Sequence, residues 1–281
     1  MVLLLVLLGA ADGRAAPEGI TLHVAPTGDD AGDGSAARPF RTLERTRDAL
    51  RALRDAPEHA TEGATVVVHA GRYARAASFV LGAQDGGGPG APVRWIAGPS
   101  SGVVLHGGLD LDPAAFVPVE AEAVRARLPT DAARAAVLAL ELSPLGVEHL
   151  APIRSRGFGQ SIRPAPAELF VDGEPLTLAR WPNEGFVRTG EVLDPGSRPR
   201  HGEKPDRGAR FRYEGDRPAR WVDAEDAWLY GYWFHDWSDE SLPLAAVDVE
   251  QGVLTLGAPH RYGVKAGTPW FAENLLEELD R

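Results

Sequence analysis

The sequence predicts an all-β chain that begins as a β-solenoid and continues into a second β-rich unit. Residues 66–71 (VVVHAG) can be laid over residues 93–98 (VRWIAG), and residues 79–82 over residues 103–106. Strand repeats at spacings of about 20–50 residues are typical of solenoids and β-helices. Farther along, short strand candidates alternate with turn signals between residues 167 and 256, which favours a sandwich or a small barrel.

The composition is that of a globular protein with a hydrophobic core. The net charge and the lack of cysteine limit which ligands the chain could bind. The 281 residues are 44% hydrophobic, and the 32 glycines and 23 prolines suit a turn-rich β protein. A formal net charge of −11 disfavours binding to nucleic acid, whose phosphates would be repelled. The chain has no cysteine, and its eight histidines show no metal-binding spacing, so we expect neither a metal nor another cofactor.

The first residues resemble a signal peptide. Residues 2–8 form an apolar run followed by small residues, and we assign residues 1–16 to a possible signal peptide. No basic residue precedes the run, and it is shorter than the roughly 20 apolar residues that cross a bilayer. We therefore expect an exported protein, secreted, periplasmic or at the cell surface, without a membrane span.

Residues 20–115 are predicted to form a cap and the first turns of the solenoid. Residues 22–25 alternate as a strand does, and a loop rich in Gly and Asp follows. That loop contains DDAGDG but lacks the glutamate and flanking helices of a calcium-binding hand, which favours a solvated turn. Thr42 is a plausible N-cap for an amphipathic helix that carries Leu43 and Leu50. Such a helix would cover the open end of a solenoid, where unpaired backbone is exposed.

The remaining chain is predicted to contain a connection and a second β-rich unit. Residues 116–159 are rich in alanine and are predicted to form a connection of helix and loop. Residues 160–265 are predicted to form an inserted β-rich domain. A hairpin is expected around Asp172-Gly173, a strong turn signal. Further strands are expected at residues 210–213, 227–236, 245–249 and 253–256. We interpret residues 266–281, which have helical spacing without a cap, as a truncated return toward the solenoid, and we expect the chain to be the N-terminal part of a longer protein.

Aromatic and acidic side chains concentrate in residues 228–240 (WLYGYWFHDWSDE). If the whole segment were a strand, one face would carry the even-numbered aromatic residues and the other Trp233, His235 and Trp237. Sugar rings stack their apolar C–H faces on aromatic rings while acidic groups bind their hydroxyls. This makes Trp233, His235, Asp236 and Trp237 candidates for saccharide binding. The alternative is that either aromatic face forms part of the core of the second unit.

Three carboxylates in this segment invite a comparison with glycoside hydrolysis. That reaction uses a pair of carboxyl groups about 5–10 Å apart on either side of the substrate bond. Asp236, Asp239 and Glu240 are near neighbours in the sequence, and such groups rarely reach that arrangement. A solvated loop is therefore favoured for them, and the catalytic residues stay unassigned.

A second polar and aromatic loop is expected after the hairpin. Trp181, Asn183 and Glu184 lie in the segment RWPNE, and functional loops concentrate such residues. These three are also candidates for substrate binding. The alternative is that Trp181 packs under Pro182 and that Arg180 pairs with a nearby acid.

Several segments resemble a known group of proteins. HVAPTGDDAGDGSAARPFRTLERTRDALRAL and TVVVHAGRY together resemble the N-terminal cap and first turns of secreted right-handed parallel β-helix proteins of the pectate-lyase-like superfamily. AELFVDGEPLTLARWPNEGF, DAWLYGYWFHDWSDES and ENLLEELDR resemble the β-helix enzymes of glycoside hydrolase family 141. In that group a β-rich domain is inserted between early turns of the β-helix, which then resumes. The resemblance covers nearly all of residues 22–281.

The resemblance implies a secreted carbohydrate-active protein that hydrolyses plant or microbial polysaccharides, with fucosidase and xylanase activities known in the family. The catalytic carboxylates are expected on later turns of the β-helix, beyond this chain, so we carry over no catalytic residue and expect this fragment alone to be inactive. The inserted domain is expected to form a wall of the cleft that holds an oligo- or polysaccharide. Two alternatives stay open: a pectate-type polysaccharide lyase on the same scaffold, and a non-catalytic carbohydrate-binding surface protein.

Overall fold

The computed structural model describes residues 19–59, 62–99, 102–163 and 166–280, so the predicted signal peptide lies outside the described residues. The described chain is mostly β structure with few helices, which agrees with the predicted all-β class. Four of its sheets have two or three strands, and one antiparallel sheet has eight. Contacts divide it into two compact units, Met1–Leu111 and Asp112–Arg281. Among the described helices, none has the length and apolar character needed to cross a bilayer.

The first unit contains two small parallel sheets. Its strands are β1 (Ile20–Val24), β2 (Ala64–Val68), β3 (Gly71–Ala74), β4 (Val93–Ala97) and β5 (Val103–His106). One sheet has the order β1-β2-β4, and the other pairs β3 with β5. In the first sheet Val66 pairs with Leu22 on one side and with Trp95 on the other, so three strands lie in register.

The observed registers differ from the sequence overlay. Val93 pairs with Ala64, two residues before the expected partner Val66. The expectation that residues 79–82 form the partner of β5 is wrong, since they are not a strand and Gly71 pairs with Val103 instead. Phe79 lies edge-on against Trp95 at 5.1 Å between ring centroids. Its apolar side chain is thus used in packing, not in a β ladder.

Helix α1 (Leu43–Arg54) begins where the sequence predicts. The Thr42 side chain accepts a hydrogen bond from the Arg45 N–H, as an N-cap does. Asp30, within the polar DDAGDG loop, accepts from the Thr42 N–H at 2.9 Å and from its hydroxyl at 2.8 Å. This carboxylate of the loop therefore anchors the start of the helix. The helix buries Leu43 and Leu50 in a core cluster shared with the strands of the first sheet.

The second unit is built around a large antiparallel sheet. Its helices are α2 (Glu122–Arg125) and α3 (Asp131–Ala136), and its strands are β6 (Val117–Pro118), β7 (Leu138–Ala139), β8 (Phe170–Val171), β9 (Glu174–Pro175), β10 (Arg180–Trp181), β11 (Val187–Arg188), β12 (Val192–Asp194), β13 (Arg210–Arg212), β14 (Trp228–Gly231), β15 (Glu240–Asp248), β16 (Val253–Leu256) and β17 (Pro269–Glu273). The main sheet has the order β10-β17-β14-β15-β16-β13-β12, with β11 also on β17, while β6–β7 and β8–β9 form separate pairs.

The structure confirms some of the strands and turns predicted for this unit and corrects others. The hairpin β8–β9 turns at Asp172 and Gly173, whose φ values of 52° and 87° are those the predicted turn requires. The strands expected near residues 210, 245 and 253 are present as β13, β15 and β16. The strand expected at residues 227–236 is wrong in its second half, because β14 ends at Gly231. A Cβ at Gly231 would lie 2.9 Å from the Pro269 carbonyl oxygen, so the neighbouring backbone passes close to this point.

The core of the second unit lies on one face of the main sheet and is rich in indole rings. Trp221, Trp233, Trp270 and Phe211 are its largest fully buried side chains. β17 lies between β10 and β14, so residues 269–273 are an interior strand of this sheet. Beyond it, Leu275 is buried in the same core.

Candidate functional site

The loop after β14 brings its odd-numbered aromatic residues into different surroundings. Trp233 has no exposed surface, and its indole N–H donates to the Glu240 carbonyl at 2.8 Å. His235 is half-buried, whereas Trp237 is 50% exposed. The alternation of a strand does not continue past Gly231, so these three predicted residues do not share a face. Trp233 packs in the core, and His235 and Trp237 reach the surface.

Four rings form an exposed group that we call the aromatic platform: Phe158, His235, Trp237 and Tyr262. His235 stacks on Trp237 with centroids 4.8 Å apart and planes inclined by 10°. Tyr262 meets His235 edge-on at 4.9 Å and Trp237 at 5.7 Å. Phe158 meets Trp237 edge-on at 4.9 Å and is itself 46% exposed. Edge-to-face and offset contacts of this kind stabilise aromatic pairs beyond their buried area, so the rings hold one another in place.

Backbone pairing brings Phe158 to the platform. The Phe158 N–H donates to the Asp239 carbonyl at 2.8 Å, and the Ser241 N–H donates to the Arg156 carbonyl at 2.8 Å. These bonds attach residues 156–158 to the start of β15, next to the turn that carries Trp237. Gly157 permits the close approach, since a Cβ there would lie 2.2 Å from the Asp239 carbonyl oxygen.

A group of buried polar side chains adjoins the platform; we call it the buried polar cluster, and it consists of Gln160, Ser238, Glu240 and His260. The Gln160 amide donates to Glu240 Oε1, and Glu240 Oε2 lies 3.8 Å from His260 Nε2. His260 Nδ1 lies 2.9 Å from the Gly263 carbonyl, which places the ring proton on Nδ1. Nε2 is then an acceptor for the Ser238 hydroxyl, 3.4 Å away.

Burial makes both titratable groups of the buried polar cluster prefer their neutral forms. Glu240 is 2% and His260 1% exposed. Burial raises the pKa of Glu240 to about 7, against a smaller lowering by the hydrogen bond from Gln160. Burial likewise lowers the pKa of His260. Because solvent does not reach either group, the cluster supports the loop and β15 and does not itself present a reactive carboxyl group to a substrate.

The three carboxylates of the segment lie in three different environments. Asp236 is exposed, Glu240 is buried, and Asp239 accepts a hydrogen bond from the Tyr230 hydroxyl at 3.1 Å. They do not form a pair of carboxyl groups that face each other across an open cleft. The predicted solvated loop is confirmed for Asp236 and wrong for Glu240, because backbone pairing at the start of β15 buries that side chain.

The other predicted segment lies at β10. Trp181 is half-buried and meets Trp221 edge-on at 5.6 Å. The Asn183 amide donates to Asp280 at 3.1 Å, while Glu184 is exposed. Within the described residues, no hydrogen bond or ring contact joins Trp181 or Asn183 to the aromatic platform. The predicted residues therefore do not form one site: His235 and Trp237 belong to the platform, and Trp233 lies in the core against which Trp181 packs.

Arg180 binds backbone carbonyls and an aromatic ring, and it also interacts electrostatically with Glu273, its cross-strand neighbour on β17. Its Nε donates to the Pro182 carbonyl at 2.8 Å and its Nη2 to the Gly185 carbonyl at 2.7 Å. The guanidinium also lies 3.7 Å from the centroid of the Phe271 ring, in a cation–π contact. Burial lowers the pKa of Arg180. The arginine thus holds the shape of the loop after β10.

Sequence reasoning missed Phe158, Gln160, His260 and Tyr262. The one local signal was GFGQ at residues 157–160, where two glycines flank a single aromatic residue. The contacts themselves join positions about 80 residues apart, such as Phe158 and Trp237. The described part of the chain holds no group of three or more His, Cys, Asp or Glu residues placed to bind a metal ion.

Comparisons with known proteins bear on the fold. No protein-family model matches the chain, and no curated protein matches it. A solved structure named glycoside hydrolase is similar to it with a TM-score of 0.59 over 94% of this chain, at 16% sequence identity. The chain spans 40% of the length of that structure. The similarity supports a fold like that of a glycoside hydrolase, while the parallel β-helix itself stays a prediction.

Proposed function

We propose that this chain is part of a carbohydrate-active protein, and that the aromatic platform binds a saccharide. The observation that carries the proposal is the exposure of Trp237. Half of this large apolar side chain faces solvent, yet Phe158, His235 and Tyr262 hold it in one orientation. A rigid, exposed indole binds with little loss of conformational freedom, and the apolar C–H face of a sugar ring fits its flat surface.

The surroundings of the platform suit the hydroxyl groups of a sugar. Asp236 is exposed beside Trp237 and offers acceptor oxygens. Lys265 lies with its Nζ 5.4 Å from the centroid of Phe234, a ring that meets His235 edge-on at 4.8 Å. Donors and acceptors are thus available around an apolar centre, as is typical of small-molecule sites.

The finer features of the proposed function follow from the sequence resemblance. We propose that the parallel strands of the first unit begin a right-handed parallel β-helix and that the protein is exported. We further propose that the full-length protein is a glycoside hydrolase acting on plant or microbial polysaccharide, with its catalytic carboxylates outside this chain. The similarity in fold to a solved glycoside hydrolase gives weak support to the carbohydrate-active class.

Binding to polysaccharides tests the role of the platform. The wild-type chain, Trp237→Ala and the control Phe170→Ala would be compared by affinity electrophoresis on a panel of neutral and uronic polysaccharides. Phe170 is a fair control because it is 47% exposed but belongs to the β8–β9 hairpin and not to the platform. We expect retention of the wild type and the control, and at least about tenfold weaker binding of Trp237→Ala, or ~1.4 kcal/mol. Equal retention of all three proteins would contradict the platform assignment.

The reaction is tested with the full reading frame of the protein. Reducing ends released without unsaturated products support a hydrolase. Unsaturated products that absorb in the ultraviolet indicate the lyase alternative, and binding without any product indicates the non-catalytic one.

A further inference from the structure

A second group of aromatic rings lies on the face of the main sheet that does not carry the core. We call it the outer aromatic cluster, and its members are Phe186, Tyr230, Tyr232 and Phe271. Leu229 of β14 and Trp270 of β17 belong to the core, so their sequence neighbours Tyr230 and Phe271 lie on the opposite face. These two neighbours are cross-strand partners, with ring centroids 5.0 Å apart. The cluster shares no ring with the core or with the aromatic platform.

Phe186 is the exposed member of the outer aromatic cluster, and it is held in one position. It is 45% exposed, and its ring centroid lies 5.6 Å from that of Phe271 and 6.1 Å from that of Tyr232. Arg180 fixes the loop that carries it through bonds to two backbone carbonyls, and its guanidinium lies on the Phe271 ring. An exposed ring that is already ordered loses little conformational freedom on binding, as argued for Trp237 of the platform.

Polar groups lie beside the rings of the outer aromatic cluster. The Tyr230 hydroxyl donates to Asp239 Oδ2 at 3.1 Å, and Asp239 is only half-buried. Burial, the Tyr232 hydroxyl and the Asp239 carboxylate raise the pKa of Tyr230, so this phenol keeps its proton. Tyrosine rings with an apolar body and a polar end, next to a carboxylate, match a sugar, which has an apolar C–H face and hydroxyl groups at its edge.

Asp239 joins the outer aromatic cluster to the platform. Its carboxylate accepts from the Tyr230 hydroxyl, and its carbonyl accepts from the Phe158 N–H at 2.8 Å. The chain itself gives a second link, since Tyr232 lies three residues before His235. Two ordered and partly exposed aromatic surfaces are therefore neighbours. When neighbouring positions bind one polymer, the second contact forms at a high effective concentration and raises the overall affinity.

We propose that the outer aromatic cluster is a second saccharide-binding position, and that it and the platform bind two sugars of the same polysaccharide chain. Phe186 stacks on the C–H face of one sugar, and Asp239 accepts from its hydroxyls. The ligand is then an extended polysaccharide and not a mono- or disaccharide. This inference rests on the proposed binding of a saccharide by the platform and adds a second position on the same ligand.

The dependence of affinity on the length of the saccharide tests the proposal. The full chain would be titrated by calorimetry with xylo-, cello-, manno- and galacturono-oligosaccharides, from disaccharides upward. For the preferred sugar we expect the longest ligands to bind at least about tenfold more tightly than the disaccharide. Phe186→Ala should remove this gain, and Phe186→Tyr, which keeps the ring, should retain it. Phe170→Ala, at a ring that is 47% exposed on the β8–β9 hairpin, is the matched control and should also retain it.

The outcomes separate the second position from the platform. Phe186→Ala should leave the Trp237 indole N–H signal of a ¹H–¹⁵N spectrum in place, which shows that the platform is intact in this variant. If affinity does not rise with length, or if Phe186→Ala keeps the rise while Trp237→Ala weakens binding, the second position alone is overturned. If Trp237→Ala binds as the wild type does, the platform and the joint site are both overturned. The absence of any binding by the wild type overturns the platform assignment and this inference together.

Discussion

The imidazole of His235 lies flat on the indole of Trp237, with ring centroids 4.8 Å apart and planes inclined by 10°. Tyr262 meets both rings edge-on, and Phe158 meets Trp237 edge-on. The pair is therefore held between residues from two distant parts of the chain, and it stays partly open to solvent. An exposed ring fixed in this way has the form of a binding surface, in contrast to Trp233, four residues earlier, which is enclosed.

Trp233 and Trp237 are expected to differ in their effect on stability. Trp233→Ala removes a fully buried ring and its hydrogen bond to the Glu240 carbonyl. We expect it to lower the free energy of unfolding by about 3–5 kcal/mol. Trp237→Ala removes a half-exposed ring and its three ring contacts, and the expected loss is about 1–2 kcal/mol. Urea denaturation followed by tryptophan fluorescence measures both values, and a larger loss for Trp237→Ala would show that the platform is part of the core.

Glu240→Gln is expected to remove a pH dependence of stability. Burial raises the pKa of Glu240 to about 7, above its ordinary value of 4.5. Between these two pH values the folded chain keeps a proton that the unfolded chain has lost, so the wild type loses stability as the pH rises from 4.5 to 7. Glutamine imitates the neutral carboxyl group. We expect the variant to equal the wild type below pH 4.5 and to exceed it by about 3 kcal/mol at pH 8.

Denaturation midpoints measured from pH 4 to pH 8 test this expectation. Asp236→Asn is the control. It neutralises an exposed carboxylate two residues before Ser238, which belongs to the buried polar cluster. A difference between Glu240→Gln and the wild type that does not change with pH would mean that Glu240 titrates as an ordinary exposed glutamate does.

Asp85 is expected to give the opposite pH dependence in the first unit. Arg51 donates two hydrogen bonds to the Asp85 carboxylate, at 2.7 and 2.8 Å, and these lower the pKa of Asp85 to about 2. The stabilisation is present above the ordinary pKa of 3.8 and is lost as the pH falls through 2. We expect Asp85→Asn to destabilise the first unit by about 1–3 kcal/mol at pH 7.

Hydrogen exchange of the α1 amides at pH 7 measures the loss in Asp85→Asn directly. Asp33→Asn is the control, because Asp33 is exposed and its bonds to Arg38 and the Ser35 N–H lie outside α1. Unchanged exchange in Asp85→Asn would mean that the bond from Arg51 does not hold the helix to the loop that carries Asp85.

Glu278 is expected to be essential for the second unit. Its side chain is fully buried and accepts from the Trp221 indole at 2.6 Å and from Arg217 Nε at 2.7 and 3.0 Å. Glu278→Leu leaves the buried Trp221 indole without its acceptor, while Arg217 is partly exposed and keeps Asp280, so we expect a loss of about 1–3 kcal/mol. Glu191→Leu breaks the exposed pair with Arg212 and should cost less than about 1 kcal/mol. Equal melting temperatures for the two variants would refute the assignment.

Local signals predicted local structure well. The N-cap at Thr42 and the hairpin at Asp172-Gly173 depend on residues a few positions apart, and both are present. The register between β2 and β4 depends on a connection of more than twenty residues whose path the strand pattern does not specify, and there the overlay was off by two residues. The end of β14 was missed because β propensity continues past Gly231, whereas residues 234–237 form a bend and a turn.

The sequence by itself determined that this is a mostly β chain, that a capped helix lies between the first strand and the strands that follow, and that its aromatic residues concentrate around residue 233. Only the tertiary structure decided which of those aromatics are buried. Trp233 turns into the core and Trp237 outward because the loop after β14 follows no repeating geometry. Phe158 and Tyr262 join Trp237 through contacts between distant segments, which no periodicity within a short window can encode.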